Sequence, residues 1–595
     1  MTSVLERLGF DPGKLAFAGR TAIAACLALL LAWALGLHHP QWAAMSVWAA
    51  SQPLRGQLLE KSLFRILGTL AGAAVGILLV QAYRVEPLLM VAGLALWVAL
   101  CTATTNLLRG FVAYGAVLAG YSAAMVSLID IGQPDHVLAI GADRVATVLT
   151  GVVVATLVGL LLAGRINPAA GLRADIRTLV ADILTQLGVP GGASGTPRAA
   201  LLERIAAIEE GLDPHAAGSL RSRQQVRSLR AVLISAVALL MQTGRPPASP
   251  NLSAAARALR NGQLDTAISH LDAVNLADPD QAAALSDLRD ALARLETTEA
   301  APTTRPEPPV VLHRDWLGAR EAGLRALTAL LLVGVFWQVS GWSSGNLMLL
   351  GLSVMISLFS TFESPVRMMR WVGIGQTTGV LGMLACRWLL WPHAGAEVQL
   401  ILMMMPFVLL GAFVMAHHRT VPIAFDYNMV FLLTLQPHFP LTGSFGQSVM
   451  AGVGVVMAPM FAWVMYRFMF HARPERRAET LVRMTRQDLA AFAADPRALD
   501  NGRVWQARLY HRVLRLIRTS LRTGQGSEAA IRHGLDALRV WNAVRQLHAV
   551  LADPALPARE RDTFTQALKR IERIEADPAP ALDSVTQLSP RLQAR

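Results

Sequence analysis

Arg65, Gly68, Gly72 and Gly76 fall at i, i+3, i+7 and i+11, so one arginine and three glycines share a single stripe of a helix. Glycine removes the side chain there and lets a second helix come close. Lys61, one turn earlier, lies on the same face. The stripe reads either as a packing seam with a topology-setting arginine at its inner end or as an anion site in which Arg65 and Lys61 attract a carboxylate. Just upstream, Pro40 and Pro53 enclose only 12 residues, which carry Trp42, Trp48 and Gln52. A ligand ring can stack on tryptophan and the amide can donate a hydrogen bond, while tryptophan at a membrane interface is the bland alternative.

Asp426 lies seven residues past Arg419, about 10 Å into an apolar run at helical rise. Ionisable groups that deep are costly, which makes Asp426 the candidate for a proton-coupling carboxylate. Arg370 stands before Gly373 as Arg65 stands before Gly68, although the second stripe degrades to Thr377 and Leu381. Asp143 and Arg144 sit near the start of another apolar run, where solvation is expected. Tyr121 and Tyr427 offer phenolic hydrogen bonds or simply pack. The adjacent pairs His38–His39 and His417–His418 are read as interfacial and given no chemistry.

The elements that must hold these residues follow from composition. The 595 residues are 53% hydrophobic and 16% charged, against about 25% charged in soluble domains, so a bilayer is the natural solvent. Apolar runs fill residues 1–165, broken near His38–Gln41, Pro53–Lys61, Tyr83–Pro87, Asn106–Gly110 and Asp130–His136 into six segments. A second set fills 316–470, broken near Gly341–Gly345, Glu363–Arg370, Trp391–Glu397, His417–Pro422 and Pro437–Phe445. Most are long enough to cross about 30 Å of hydrocarbon; the one between Pro40 and Pro53 must be short, tilted or partly unwound. Residues 166–299 and 471–595 are polar, with helical periodicity in Leu172, Ile176, Leu179 and Ile183 and in Trp505, Leu509, Val513 and Leu516. The proline-rich stretch 300–315 reads as a linker.

A constant offset of 305 superposes Arg20 on Arg325, Gly36 on Gly341, Arg65 on Arg370 and Gly68 on Gly373. The expected fold is therefore an all-α polytopic membrane protein. Two parallel repeats of about six transmembrane helices, about 12 in total, are each followed by an α-helical cytoplasmic domain. Ala16 to Gly36 reads as a first span rather than a removed signal. The inner loops then hold Arg7, Lys14, Arg55, Lys61, Arg109, Arg320, Arg367 and Arg419, and the outer loops almost no Lys or Arg, which puts both termini in the cytoplasm.

The net charge of +13 is a topology signal, and no nucleic-acid partner is expected. Cys26, Cys101 and Cys386 are far apart and form no metal-ligand spacing, so neither metal nor disulfide is expected. No phosphate-binding loop occurs among the three lysines, Lys14, Lys61 and Lys569, and nothing points to an enzyme or a cofactor. Arg508, Arg512, Arg515 and Arg522 make a basic helix face, either acid-paired or set against anionic lipid.

The stretch Pro40-Gln-Trp-Ala-Ala-Met-Ser-Val-Trp-Ala-Ala-Ser-Gln52-Pro53, followed by Gly56, Lys61, Arg65-Ile-Leu-Gly68-Thr69 and Gly72, resembles the signature of the fusaric acid resistance (FUSC) family of bacterial inner-membrane proteins. The order of six spans, polar domain, six spans and polar tail resembles that family over essentially the full length. The resemblance implies proton-driven export of aromatic carboxylic acids or related weak organic anions, with a periplasmic membrane-fusion protein as a frequent partner. Plant malate channels look like distant relatives with one six-span unit per chain working as dimers. On that analogy this chain is a fused pseudo-dimer, with a homo-oligomer left open. The site residues under this reading are Arg65, Arg370, Lys61, Trp42, Gln52, Gly68 and Gly72 for the substrate path and Asp426 for the proton. Two alternatives stand beside it: an anion channel using the same arginines, and a membrane scaffold whose polar domains recruit a partner.

Overall fold

The computed structural model describes residues 6–108, 110–129, 136–162, 168–188, 198–215, 217, 220–240, 249–276, 279–296, 316–362, 364–470, 474–495, 497, 502–523 and 527–593. The expected linker 300–315, the break at 130–135 and Arg109 lie outside them. In chain order the apolar helices α1 (Pro12–Ala34), α2 (Gln41–Ala50), α3 (Arg55–Val85), α4 (Pro87–Leu107), α5 (Gly110–Leu128) and α6 (Val137–Leu162) come first. The polar helices α7 (Pro168–Gly188), α8 (Arg198–His215), α9 (Leu220–Leu240), α10 (Pro250–Arg260), α11 (Leu264–Asp272) and α12 (Pro279–Glu296) follow. A second apolar set holds α13 (Trp316–Ser340), α14 (Gly345–Leu358), α15 (Pro365–Ala385), α16 (Glu397–Ala416), α17 (Val421–Thr434) and α18 (Phe445–Phe468). The polar helices α19 (Pro474–Ala494), α20 (Gly502–Thr523), α21 (Ser527–Leu551), α22 (Ala558–Glu572) and α23 (Pro578–Gln593) close the chain. Contacts divide it into one unit of Met1–Arg165 with Arg314–Ala472, and another of Ile166–His313 with Arg473–Arg595.

Local sequence sets the helix ends. The Asp11 carboxylate accepts from the Gly13 and Lys14 amides at 2.9 and 3.1 Å, ahead of Pro12 in the first turn of α1. Just past the ends of α1 and α13, Gly36 and Gly341 take φ of 71° and 63°, a left-handed conformation that glycine adopts without strain. Ser444 and Gln447 form a capping box at the start of α18.

Eight helices among the described residues, α1, α3, α4, α5, α6, α13, α16 and α18, are long and apolar enough to cross a membrane. They turn large apolar side chains outward: Leu67 and Leu78 on α3, Leu96 on α4, Leu157 on α6 and Phe336 on α13 are exposed. Arg65, Ser46, Asp143 and Arg144 are buried. Apolar outside and charged inside is the inverse of a water-soluble unit, and it defines a multi-pass helical membrane protein. The short segment between Pro40 and Pro53 is the ten-residue α2, about 15 Å long. It spans half of a bilayer core, and most of it, including Trp42, Ser46 and Val47, is buried in the unit's interior, where incomplete spans are tolerated.

The packing of the first six helices recurs in the second six. Contacts of α1 with α2, α2 with α6, α3 with α5 and with α6, and α4 with α5 are matched by α13–α14, α14–α18, α15–α17, α15–α18 and α16–α17. Between the two sets, α1 meets α16 as α13 meets α4, and α2 meets α17 as α14 meets α5.

Among these seams α3 packs closely against α5. A Cβ on Gly72 would sit 2.6 Å from both the Ala119 carbonyl oxygen and the Ser122 Cβ, and one on Gly68 would meet the Gly115 carbonyl and, at 3.1 Å, the Leu118 Cβ. In the second set Gly375 meets the Ile423 carbonyl at 2.6 Å and the Asp426 Cβ at 3.0 Å, and Gly379 meets the Tyr427 carbonyl at 2.8 Å. The glycines that do the same job are therefore Gly68 and Gly375, Gly72 and Gly379, two residues beyond the offset that pairs Gly68 with Gly373. Nothing lies within 4 Å of a Cβ on Gly373.

In the polar unit, the two segments expected as separate domains share one hydrophobic core that includes Ile176, Leu233, Phe492 and Val544, and α20 packs on α8. Phe492 stacks on Trp541 with centroids 4.0 Å apart. Of the basic face on α20, Arg508 and Arg512 pair with Asp488 at 3.9 and 3.0 Å, the acid-paired alternative. Asp182 on α7 joins Arg204 on α8 at 2.6 Å and Arg260 on α10 at 2.9 Å. Partial burial opposes its ionisation, but the hydrogen bonds from Arg204 and Arg260 and their charges prevail and hold its carboxyl below the ordinary aspartate value.

Two stability predictions follow from these contacts. Gly72→Leu should lower the thermal stability of the detergent-purified protein by about 1–3 kcal/mol or more, while Gly373→Ala, with free space around it, should be neutral or slightly stabilising. Equal losses in the two variants would contradict the seam. Asp182→Asn should destabilise by about 0.5–1 kcal/mol at neutral pH, since the pairs are partly exposed. Because the folded-state pKa is depressed, that stabilisation is present above the unfolded pKa and lost as pH falls through the folded one. Wild-type and variant melting curves should converge in acid.

Candidate anion site

The glycine seam decides where Arg65 goes. With α3 drawn against α5, the Arg65 guanidinium lies between helices and donates through Nη1 to the Tyr114 hydroxyl at 2.6 Å and, at 3.4 Å, to the Tyr121 hydroxyl. Tyr114 and Tyr121 are two turns apart on one face of α5. From the other side α2 presents Ser46, whose Oγ accepts from Nη2 at 3.1 Å. Arg65 is 2% exposed, and its Nε is buried with no partner. Among the described residues, every group that it bonds is a neutral hydroxyl. Lys61 stands 5.1 Å from the Tyr114 ring centroid, a cation–π contact that adds a second positive charge nearby.

One turn before Ser46, Trp42 carries a third. The Arg144 guanidinium of α6 lies 5.1 Å over the Trp42 ring, is 1% exposed, and has Nε and Nη1 buried without partners. It feels the charge of Arg65. Its sequence neighbour Asp143 acts on it through charge rather than a hydrogen bond, because both carboxylate oxygens are bonded elsewhere: Oδ1 accepts from the His38 amide at 2.8 Å and Oδ2 meets His39 Nδ1 at 2.9 Å. The His39 ring in turn stacks on Trp42, with centroids 4.1 Å apart and planes 9° from parallel. The expectations that Asp143 and Arg144 are solvated and that His38–His39 does nothing are thus corrected. The turn between α1 and α2 folds onto the start of α6 and shuts water out.

Arg370 does not mirror Arg65. It is exposed, because the working glycines of α15 are Gly375 and Gly379. A two-residue offset on a helix is about 200° of rotation, which turns Arg370 outward and puts buried Val372 where Arg65 stands. Matching the seams also pairs Asp426 with Leu118. Asp426 is buried at 6% exposure, with the Gln376 side chain facing its carboxyl. Among the described residues no hydrogen bond or ion pair joins it to the Arg65 cluster. Gln52 lies in extended chain after α2 and is engaged through its carbonyl, which accepts from Arg20 at 3.3 Å. Tyr427 donates to the Phe407 carbonyl at 3.2 Å and does not repeat the role of Tyr121.

Sequence reasoning missed Arg144, Ser46 and Tyr114 as site residues. Arg144 was within reach of it: seven residues into α6, it lies about 10 Å along the helix, the depth that singled out Asp426.

Together, these observations define a helical membrane protein with a buried cluster of cations among aromatic rings, in which cations outnumber carboxylates among the described residues. The fusaric acid resistance protein family matches residues 14–300 and 252–595, and the chain belongs to that family. It is 26% identical over 422 residues to an uncharacterised transporter of Gluconobacter oxydans, covering 60% of this chain and 56% of that protein. To the uncharacterised transporter YdhK of Escherichia coli K12 it is 26% identical over 392 residues, 59% of this chain and 58% of the relative. To the p-hydroxybenzoic acid efflux pump subunit AaeB of Edwardsiella ictaluri it is 32% identical over 161 residues, 26% of this chain and 25% of the relative. The chain thus spans from a quarter to just over half the length of these relatives. No solved structure matches it.

Asp143→Ala should free the turn that closes the cluster and strand the His38 amide. A loss of about 1–3 kcal/mol in thermal unfolding is expected, with faster proteolysis between α1 and α2. Unchanged stability and cleavage would mean that the carboxylate does not hold the turn.

Proposed function

We propose that the chain is an efflux transporter of the bacterial inner membrane that exports aromatic carboxylic acids or related weak organic anions in exchange for protons. The observation that carries this reading is Arg65: a buried guanidinium that, among the described residues, is hydrogen-bonded only to hydroxyls, with Nε left over. Burying an ion without a counter-charge costs several kcal/mol, so the site is suited to a ligand that brings the missing negative charge. Tyr114 and Tyr121 add aromatic side chains beside it, suited to an aromatic ligand. The transporter and pump names of the relatives, the last of them for p-hydroxybenzoic acid, agree in class.

In this reading the two matched sets of six helices are parallel repeats, about twelve crossings in all, with both termini and the polar unit in the cytoplasm. The basic inner loops and the recurring helix contacts support it. Asp426 carries the proton, being a buried carboxyl on a seam of the second repeat. A periplasmic membrane-fusion protein is the fitting partner, since the word subunit in the AaeB name implies a further component.

Labelled p-hydroxybenzoate uptake into inverted vesicles, with and without an imposed proton gradient, tests the proposal. Gradient-driven uptake is expected in the native chain, falling at least tenfold in Arg65→Gln and losing its gradient dependence in Asp426→Asn. Uptake indifferent to Arg65 would remove the anion site, and uptake in the native chain indifferent to the gradient would make the protein a channel.

A further inference from the structure

The charge balance of the cluster carries the argument one step further. Arg65 is bonded to Ser46, Tyr114 and Tyr121, and none of these is acidic. Arg144 has two buried nitrogens with no partner. Asp143, the sequence neighbour of Arg144, is hydrogen-bonded to the His38 amide and His39, and its carboxylate offsets one of the three positive charges of Lys61, Arg65 and Arg144. Among the described residues three cations, Lys61, Arg65 and Arg144, therefore stand with the single carboxylate of Asp143, an excess of two positive charges. A monocarboxylate entering the site leaves one buried positive charge uncompensated, whereas a ligand with two ionised groups leaves none.

Spacing agrees with charge. Arg65 is anchored to Ser46, and Arg144 lies over Trp42. These positions are four residues apart on α2, about 6 Å along its axis. A rigid ring with two carboxylates separates its charges by a comparable distance, and a single carboxylate does not. Trp42 holds Arg144 at this position, because the guanidinium lies over its ring while His39 stacks on it and Asp143 holds His39.

We infer that the site prefers organic anions carrying two ionised groups, an aromatic dicarboxylate over the corresponding monocarboxylate, with Arg144 as the specificity-determining residue. The inference rests on the reading of Arg65 as the anion-binding group and adds the class of ligand it takes.

Ligand-dependent thermal stabilisation of the full-length protein in detergent tests it, with benzoate and isophthalate as probes at neutral pH. In the native chain isophthalate should bind at least tenfold more tightly than benzoate. Arg144→Gln should bring the ratio close to one, and Arg144→Lys, which keeps the charge and loses the planar fork, should retain most of it. Equal binding of the two probes to the native chain overturns the inference without any variant, as does a ratio unchanged in Arg144→Gln. If neither probe stabilises the native chain, or if Arg65→Gln leaves both affinities unaltered, the anion site itself is refuted and the preference falls with it. Tighter benzoate than isophthalate binding would refute the preference while leaving the anion site standing.

Discussion

A guanidinium that leaves water must find hydrogen-bond acceptors and, to recover most of the lost solvation, a negative charge. Arg65 has the first and lacks the second. Its acceptors come from two other helices, Ser46 on α2 and the tyrosine pair on α5, so its position is set only when all three helices are in place. The ten-residue α2 is too short to serve as an ordinary span and is buried instead, which lets it deliver Trp42 and Ser46 to the interior. The seam of Gly68 and Gly72 removes the side chains that would hold α3 and α5 apart. The rest of the apolar unit can be read as the surroundings needed to keep a charged group in a dry place.

The same seam explains why the two halves differ. Backbone contacts match glycine for glycine and carbonyl for carbonyl, but the residue one turn before the first glycine is Arg65 in one half and Val372 in the other. The residue facing that glycine across the seam is Leu118 in one and Asp426 in the other. At this one seam the two sets of helices thus differ in charge, with an arginine in the first and an aspartate in the second.

Much of this was legible from the sequence, and the reasons for the rest are physical. Apolar run lengths, prolines and glycines marked the helix ends, and the 12 residues between Pro40 and Pro53 announced a short helix. The stripe from Arg65 to Gly76 was visible as a seam because helical spacing is a local property. Arg370 was misplaced because a constant offset assumes that no residue is gained or lost. Gly36 and Gly341 keep the offset of 305, whereas the seam of α15 has moved by two residues, and on a helix that reverses the face. Asp143 and Arg144 were judged solvated because their covering element, the turn from His38 to Pro40, lies more than a hundred residues away in sequence. Likewise, the joining of the two polar segments in one core depends on contacts between α20 and α8 that no local pattern encodes.

The distribution of charge bears on mechanism more than any single residue does. If Arg65 and Asp426 were salt-bridged, each would satisfy the other and the unit would be stable without ligand or proton. They stand instead on separate seams, with no contact between them among the described residues. Under the proposed function a positive centre kept apart from its own acid remains available to an incoming anion, and an acid kept apart from its own base remains available to a proton. The contacts from α2 to α17 and from α5 to α14 join the two seams through packing, with no shared hydrogen bond among the described residues, so under the proposed function coupling between the sites runs through these helices. At the seam itself each set carries one of the two charges and an apolar residue in place of the other, Val372 where Arg65 stands and Leu118 where Asp426 stands.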